Sequence, residues 1–487
     1  MALYTYDTRP SFSSDVLVRG TPEYDRCRRN NPSATTPDRY PREIHVVKSP
    51  KQVSAALQRA TELGVTVGIR GSGHAFPLSA LIEDGILIDT SSLNRYVDYD
   101  PHSREISFGP AVRVEEVAAK LAEVKRFFPH GHAPTVGAAG FLLAGGQGWF
   151  VRGWGATCQE WITQMEIVVP DGRIVIASPT ENTDLFWAAR GSGLGFFGVV
   201  TKFWARTIPS SQLWERTFTF QLRDKYETLL TWFFEKAEDT PKYGTDLNLT
   251  IFYPEKYDNT ILTDEIPKTS QLHLGLSLLC YSDTEREAQT LLSAYDDVPE
   301  SVKDCLVDMR PVSKREFTDI FDKKREFIGN KYGENWQILS LLSEPTIPIP
   351  RLIEALKPAL TELETRITSV FICICDIVAN EKVASLSIPQ KYYISTVTGW
   401  LDQKKGPAIK QRMLERYKRA LPVACGTYPA DYDPNVEDAN SKPMSDTALA
   451  KFLKIRAKWD PNDMFPNYKQ FIKTNEKINK LLTKPSL

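Results

Sequence analysis

One histidine of this sequence directly follows a tight turn of small residues, and its position could support chemistry. His74 closes the run Gly71-Ser72-Gly73-His74, which comes after an apolar stretch with the character of a strand. Small residues let successive backbone N–H groups converge into a cradle for an anion such as a pyrophosphate. The run lacks the helix-opening Gly-x-Gly-x-x-Gly of a Rossmann site and the Lys-Ser/Thr of a Walker loop. We therefore predict that His74 faces a phosphate-containing ligand held by a loop of another kind.

Glycine is concentrated in the first half of the chain. Of the 27 glycines, 20 lie before residue 212. Two further glycine-rich segments, residues 134–148 and 190–198, follow the His74 run, and each adjoins a predicted strand. Glycine permits close approach of a ligand to the backbone. Three such segments in one unit favour a large, extended ligand that contacts the backbone along its length.

Other residue types that could bind metals give weaker patterns. His130 and His132 flank Gly131, but no third ligand or carboxylate is visible nearby, so we predict no metal centre. The seven cysteines contain no Cys-x-x-Cys pair, which favours reduced thiols in the core and an intracellular protein.

The charges and the apolar pattern exclude several classes of function. Lys and Arg number 60 against 61 Asp and Glu, so the sequence predicts no nucleic-acid partner. The chain has no run of about 18 apolar residues, which argues against a membrane-spanning helix. No signal peptide is visible at the N-terminus, so we expect a cytoplasmic location. The sequence leaves the oligomeric state open.

The predicted elements that position these residues form an α+β protein. After an extended lead-in over residues 1–40, short strands and helices alternate over 41–211. Residues 212–444 predict a second α+β domain whose antiparallel sheet is covered by helices. Residues 445–487 form a C-terminal segment with a helix that ends near Trp459.

The glycine-rich segments resemble those of one flavoprotein superfamily. Arg70-Gly71-Ser72-Gly73-His74 is similar to the flavin-attachment motif of the p-cresol methylhydroxylase/vanillyl-alcohol oxidase superfamily. Matching segments follow in the same order at residues 134–137, 145–148, 184–191 and 197–201. Residues 458–465 resemble the closing segment of the berberine bridge enzyme-like branch.

The resemblance implies a two-lobed FAD-binding domain of the p-cresol methylhydroxylase type, a substrate domain over the isoalloxazine, and a C-terminal segment that returns to the flavin. It implies a covalent bond from His74 to the flavin 8α-methyl group. Ala133 occupies the position where many members carry a second attachment through cysteine, so a single link is expected. The residues implied in cofactor binding are Arg70, Gly71, Ser72, Gly73, His74, Ser79, Thr135, Val136, Gly137, Gly140, Gly145, Gly146, Gly148, Gly155, Gly198, Val199, Val200 and Asn462.

The family chemistry is a two-electron oxidation in which a base removes a proton while hydride passes to flavin N5. The segment 426–433 resembles the one that often carries a catalytic tyrosine, so Tyr432 and Tyr428 are candidate bases. Asp376, at the end of an apolar strand, is a third candidate, and Tyr392 and Tyr393 are two more. The alternative for the tyrosines is simple aromatic packing.

The sequence thus predicts an FAD-dependent oxidase of a small hydrophobic molecule, such as a phenolic, alkaloid or polyketide-like intermediate of specialised metabolism, with O2 as the acceptor. A carbohydrate or polyol oxidase, a dehydrogenase that avoids O2, and a binding protein without activity remain open. So does a cyclase that keeps FAD without redox chemistry. The mass of the product separates the cyclase from the oxidases, because only oxidation removes two hydrogens.

Overall fold

The computed structural model describes residues 10–258, 263–325, 332–436 and 440–482. The helices of this part form where the sequence supplies capping residues. In the helix Pro50–Leu63, Ser49 accepts a hydrogen bond from the Gln52 N–H, Pro50 opens the first turn, and Gly64 ends it with a φ of 63°. Proline at a helix start and glycine after its end have these roles because of their backbone geometry.

The described residues contain 19 strands and 14 α-helices. The strands are β1 (Val16–Val18), β2 (Glu43–Val46), β3 (Val67–Arg70), β4 (Ile86–Asp89), β5 (Val97–Asp100), β6 (Glu105–Phe108), β7 (Arg126–Phe127), β8 (Ile162–Val168), β9 (Ile174–Ala177), β10 (Val199–Arg206), β11 (Ile208–Pro209), β12 (Gln212–Gln221), β13 (Thr245–Phe252), β14 (His273–Ser282), β15 (Leu306–Arg315), β16 (Asn335–Ser343), β17 (Ser369–Ile377), β18 (Gln390–Trp400) and β19 (Ala424–Gly426). The helices are α1 (Pro22–Arg28), α2 (Pro50–Leu63), α3 (Val114–Glu123), α4 (Ala138–Leu143), α5 (Val151–Trp154), α6 (Thr157–Glu160), α7 (Thr183–Ala188), α8 (Tyr226–Asp239), α9 (Glu285–Leu291), α10 (Phe317–Arg325), α11 (Ile349–Thr361), α12 (Gly406–Ala420), α13 (Asp446–Trp459) and α14 (Lys469–Leu482).

The first half of the chain contains two principal sheets. The four-stranded sheet has the order β1-β2-β4-β3, in which β2 and β3 run parallel to β4. The five-stranded sheet has the order β5-β6-β10-β8-β9, and its neighbouring strands are antiparallel. Residues of both sheets share one apolar core, which α2 and α3 complete. This two-sheet arrangement confirms the predicted fold class.

The second half is built on an eight-stranded antiparallel sheet of order β15-β12-β14-β13-β17-β18-β16-β19. One face of this sheet is buried under α8, α9, α11 and α12, with which it forms a second apolar core. The other face is only half-buried. We call it the open face, although part of it packs against the first half of the chain. Its partly exposed residues include Thr250, Phe252, Gly275, Ser277, Ile338, Ser369, Phe371 and Val397.

The C-terminal helices lie against the first half of the chain. The Val67 N–H donates to the Met464 carbonyl over 2.9 Å, and Lys458 Nζ donates to Asp184 Oδ2 over 2.7 Å. The closing segment therefore returns to β3, directly before the His74 run. The domain boundaries at residues 40, 211 and 444 stay predictions. None of the described helices is both long enough and apolar enough to cross a membrane.

Candidate functional site

The His74 run is anchored from behind by a buried ion pair. Arg70, the last residue of β3, donates from Nε to Asp89 Oδ2 over 2.8 Å, and from Nη1 to the Cys27 carbonyl over 2.9 Å. Arg70 and Asp89 are almost fully buried, with side chains 7% and 1% exposed. The sequence predicted that the Arg70 guanidinium contacts the cofactor. In the structure it is bonded to Asp89 and Cys27 instead, and it fixes the start of the loop.

The first two glycine-rich segments meet at His74. Thr135 Oγ1 lies 3.3 Å from His74 Nδ1. A Cβ at Gly137 would lie 2.5 Å from Ser72 Oγ, so glycine is needed there for the two segments to touch. Burial, with a smaller effect of the Arg113 charge, lowers the pKa of His74 to about 4. His74 is therefore a neutral imidazole near pH 7, the form whose ring nitrogen can bond to carbon.

The exposed side of this junction fits a flavin dinucleotide. Residues 71–74, together with Ser79, Thr135 and Val136, are half-buried, although the strands beside them are buried. A Cβ added at Gly140 would meet no atom within 4 Å, so this side of α4 faces open space. A surface of small residues and backbone N–H groups is what a pyrophosphate requires.

Residues 145–148, which follow α4, are buried and pack against protein. Gly145 and Gly146 have positive φ, as does Gly155 after α5, and a Cβ at Gly148 would overlap the Pro129 carbonyl. The Gln147 N–H donates to Tyr428 Oη over 3.4 Å, and Gln147 Nε2 donates to Gln390 Oε1 over 2.7 Å. This loop therefore connects the glycine-rich surface to the second half of the chain.

A tyrosine and a carboxyl group lie beside this loop. Tyr393 Oη donates to Asp431 Oδ2 over 2.7 Å, and the Tyr393 ring meets the Tyr428 ring edge-on at 5.7 Å. Burial raises the pKa of Asp431 to about 6, despite the hydrogen bonds from Tyr393 and Ser340. Burial also raises the pKa of Tyr428 and that of Tyr393. The cluster can accept or return a proton near neutral pH.

Comparisons with known proteins agree with this geometry. A protein-family model described as an FAD binding domain matches residues 41–178. The FAD-linked oxidoreductase nodO of Hypoxylon pulicicidum is 26% identical over 468 residues, which cover 92% of this chain and 95% of that protein. The chain contains an FAD-binding domain and is an FAD-linked oxidoreductase.

Two other proteins are similar to this oxidoreductase, one in fold and one in part of its sequence. The solved structure of 6-hydroxy-D-nicotine oxidase from Arthrobacter nicotinovorans superposes with a TM-score of 0.77 at 17% identity, over 93% of this chain and 97% of that one. The xylooligosaccharide oxidase of Thermothelomyces thermophilus is 36% identical over 176 residues, which cover 35% of each chain. The first similarity extends over the whole fold, and the second covers only part of each sequence.

The third glycine-rich segment of the oxidoreductase packs against protein. A Cβ at Gly191 would overlap the Leu386 backbone, one at Gly193 would lie 2.9 Å from Pro429 Cβ, and one at Gly195 would lie 2.7 Å from Phe471 Cε2. These glycines therefore allow the second half and the C-terminus to approach. Gly198 directly precedes β10, and Val199 and Val200 begin this strand with buried side chains, so the predicted cofactor contact would be made by their backbone. Asn462 lies in an exposed turn after α13.

Three candidate bases of the oxidoreductase lie outside the Tyr393–Asp431 cluster. Tyr432 is fully buried, and its hydroxyl bonds to Thr474 and to the Gln470 carbonyl, both on α14. Asp376 forms an ion pair with Lys242 at 3.4 Å. Tyr392 donates to Glu238 on α8, on the helix-covered side of the sheet. The contacts with α14, the ion pair with Lys242 and the contact with α8 therefore give Tyr432, Asp376 and Tyr392, respectively, a structural role.

One histidine has partners that the sequence did not reveal. His132 Nε2 lies 3.4 Å from Asp246 Oδ2, on β13. Potential ligand atoms of His132, Asp246 and Cys373 all lie within 4.8 Å of one another. The sequence shows no carboxylate near His132, because the sheet supplies this neighbour from a distant part of the chain.

Proposed function

We propose that this oxidoreductase is an FAD-dependent oxidase of a small hydrophobic molecule, with FAD attached covalently through His74 alone and O2 as the acceptor. The observation that carries the proposal is the contact of His74 with Thr135 at the junction of two glycine-rich segments. It holds a neutral imidazole on the surface that fits the cofactor.

Bound FAD would supply a two-electron acceptor. The protein's own contribution is positioning and proton transfer. Residues 71–74 and 135–140 would hold the cofactor, while Thr135 orients His74. Tyr428 contacts the loop 145–148, and its ring meets that of Tyr393 edge-on. The Tyr393 hydroxyl in turn donates to Asp431. Asp431 can take up the proton that Tyr393 relays from a substrate, because its pKa is raised to about 6.

The open face of the sheet supports a hydrophobic substrate. Its partly exposed residues include Phe252, Ile338, Phe371 and Val397, which offer apolar contact area. Phe76, two residues after His74, stacks at 6.4 Å on Trp336 of β16, which borders this face. The open face is therefore directed toward the histidine that would carry the flavin.

A carbohydrate oxidase is the second candidate, and the local similarity to a xylooligosaccharide oxidase favours it. Peroxide release with xylooligosaccharides but not with phenols would select this alternative. A product that differs from its substrate by two hydrogens supports either oxidase. An isomer of unchanged mass would indicate a cyclase.

The covalent link is the most direct test of the proposal. Acid-precipitated protein is expected to stay yellow, and its His74 peptide to gain the mass of FAD. His74→Ala is expected to lose the covalent flavin while it retains some dissociable FAD. The exposed His102 provides a control, because His102→Ala leaves the site intact. A colourless wild-type precipitate, or flavin on another peptide, would contradict the assignment.

A further inference from the structure

Three buried side chains from distant parts of the chain converge beside β13. Potential ligand atoms of His132, Asp246 and Cys373 all lie within 4.8 Å of one another. The side chains of His132 and Asp246 are 13% and 2% exposed, and Cys373 is buried. Buried charged groups in proteins are usually paired or bound to a metal. Because imidazole, carboxylate and thiolate are the groups that bind zinc, this cluster is a candidate metal site.

Two adjacent strands hold the carboxylate and the thiol in place. Asn248 of β13 is paired with Cys373 of the antiparallel strand β17. Residues two positions apart on a strand share a face, so Asp246 projects from the same face as Asn248 and Cys373. Phe371 shows that this is the open face. Ligands on paired strands keep their geometry better than ligands on loops.

The distance between the nitrogen and oxygen ligands agrees with zinc coordination. Zinc binds imidazole nitrogen and carboxylate oxygen at about 2.0–2.1 Å, so two such ligands of a tetrahedral ion lie about 3.3 Å apart. His132 Nε2 lies 3.4 Å from Asp246 Oδ2. Cys373 Sγ lies within 4.8 Å of both atoms, so the thiol would have to move by about 1 Å to bind the same ion.

Hydrogen bonds orient the carboxylate from behind. Asp246 Oδ2 accepts the Phe150 N–H over 2.7 Å, and Oδ1 accepts from Asn248 Nδ2 over 2.5 Å. A carboxylate has about four lone-pair positions, so these bonds leave room for a metal. Carboxylates that bind metals are characteristically held by outer contacts of this kind.

A second thiol and a nearby cation complete the set. Cys375 lies two residues after Cys373, and a hydrogen bond joins the two thiols. The Arg152 guanidinium acts electrostatically on both Asp246 and Cys373. Two thiolates and one carboxylate would therefore balance the charge of a divalent ion and of Arg152. Sulfur and imidazole ligands favour zinc over magnesium and calcium, which prefer oxygen.

We propose that His132, Asp246, Cys373 and Cys375 bind one zinc ion. The ion displaces the protons of the two thiols, which pass to solvent, and forms bonds to one nitrogen, one oxygen and two sulfurs. Four protein ligands make a closed, structural site, so the proton acceptors of the proposed function stay as they are. The ion connects β13 and β17 to the segment that leads to Thr135, the partner of His74. This proposal replaces the expectation from the sequence that no metal is bound.

Zinc content tests the site directly. Purified holoenzyme is incubated with Zn²⁺, passed over a chelating resin to remove loosely bound ions, and analysed for zinc. Wild-type protein is expected to retain about one zinc ion per chain, and His132→Gln and Cys373→Ser are expected to lose it. Cys305→Ser removes a buried thiol outside the cluster and is the matched control, which is expected to keep zinc. Asn248→Ala keeps all four ligands, so it tests the site even if a ligand variant folds poorly. It is expected to weaken zinc binding about 10–100-fold, as loss of an outer contact does.

Co²⁺ is the spectroscopic probe of the ligand set. Cobalt in a tetrahedral site with thiolate ligands absorbs at longer wavelengths than oxidised flavin, so wild-type holoenzyme is expected to show these bands. Cys375→Ser is expected to weaken them, and unchanged bands would overturn its place as the fourth ligand. A wild type that retains no zinc would overturn the site, as would equal zinc in His132→Gln and Cys373→Ser. Covalent flavin, measured in the same samples, reports separately on the proposed function.

Discussion

Asp431 is a buried carboxyl group whose pKa is raised and whose hydrogen-bond partner is Tyr393. The sequence pointed to its neighbours Tyr428 and Tyr432 as bases, because tyrosine is the family's usual residue in that segment. The hydrogen bond from Tyr393 joins two residues 38 positions apart, and only the approach of the segment to β18 creates it. No spacing rule could have revealed this pair, although Asp431 itself stood within the segment that the resemblance marked.

The raised pKa of Asp431 predicts a pH-dependent stability. Its folded pKa of about 6 exceeds the ordinary value of 3.8, so the contribution to stability is present below pH 4 and is lost as pH rises through 6. Asp431→Asn stays neutral throughout. We expect it to raise the free energy of unfolding by about 1–3 kcal/mol at pH 7.5 and by little at pH 4.

Urea unfolding at the two pH values measures this effect. The exposed variant Asp98→Asn is expected to stay within about 0.5 kcal/mol of the wild type at both. Flavin reduction by Asp431→Asn is expected to be at least about tenfold slower, because the proton acceptor is lost. An equal stability change at both pH values would contradict the assigned pKa.

At the scale of elements, the predicted helices and strands agree well with the structure where the chain supplies clear ends. The sequence predicts helices over residues 114–123 and 406–420 from their amphipathic patterns, and α3 and α12 occupy these residues. The sequence also predicts a helix over residues 284–294, but α9 ends at Leu291, because the chain continues as a tighter turn over Ser293–Tyr295. Local sequence determines the bounds of such helices. The contacts between the glycine-rich segments depend on how the sheets pair, and the residues of these segments do not determine that pairing.

The Arg70–Asp89 pair connects β3 and β4 behind the His74 run, and its removal should affect both stability and cofactor binding. Asp89→Asn leaves a buried guanidinium without its counter-charge, so we expect a loss of about 3–5 kcal/mol in the free energy of unfolding. Arg70→Lys cannot bond to Asp89 and Cys27 together, and we expect it to fail as a substitute. Both variants are expected to contain less flavin.

Chemical denaturation and the flavin-to-protein absorbance ratio measure these effects. Glu227→Gln breaks the exposed pair with Lys357 and serves as the control, with an expected change below about 1 kcal/mol. Full flavin content in a destabilised Asp89→Asn would show that the pair supports the fold without supporting the cofactor surface.

At the scale of the whole molecule, α14 joins the two halves through Tyr432. The hydroxyl contacts with Thr474 and the Gln470 carbonyl are structural, so Tyr432→Phe is expected to cost about 1–2 kcal/mol of stability and to leave flavin reduction unchanged. Tyr428→Phe, which changes the loop 145–148 contact, is expected to slow reduction instead. Stopped-flow reduction compares the two. A Tyr432→Phe protein with normal stability but without reduction would restore Tyr432 as the base.

The packing of Gly191, Gly193 and Gly195 also has a consequence for the order of events during synthesis. Their contacts are Leu386, Pro429 and Phe471, which leave the ribosome long after the glycines do. Until then, the newly made first half exposes a flank that its own residues cannot cover, and such surfaces recruit chaperones. The proposed attachment of flavin at His74 should therefore follow release of the completed chain, and ribosome-bound fragments that end before Leu386 should carry no covalent flavin.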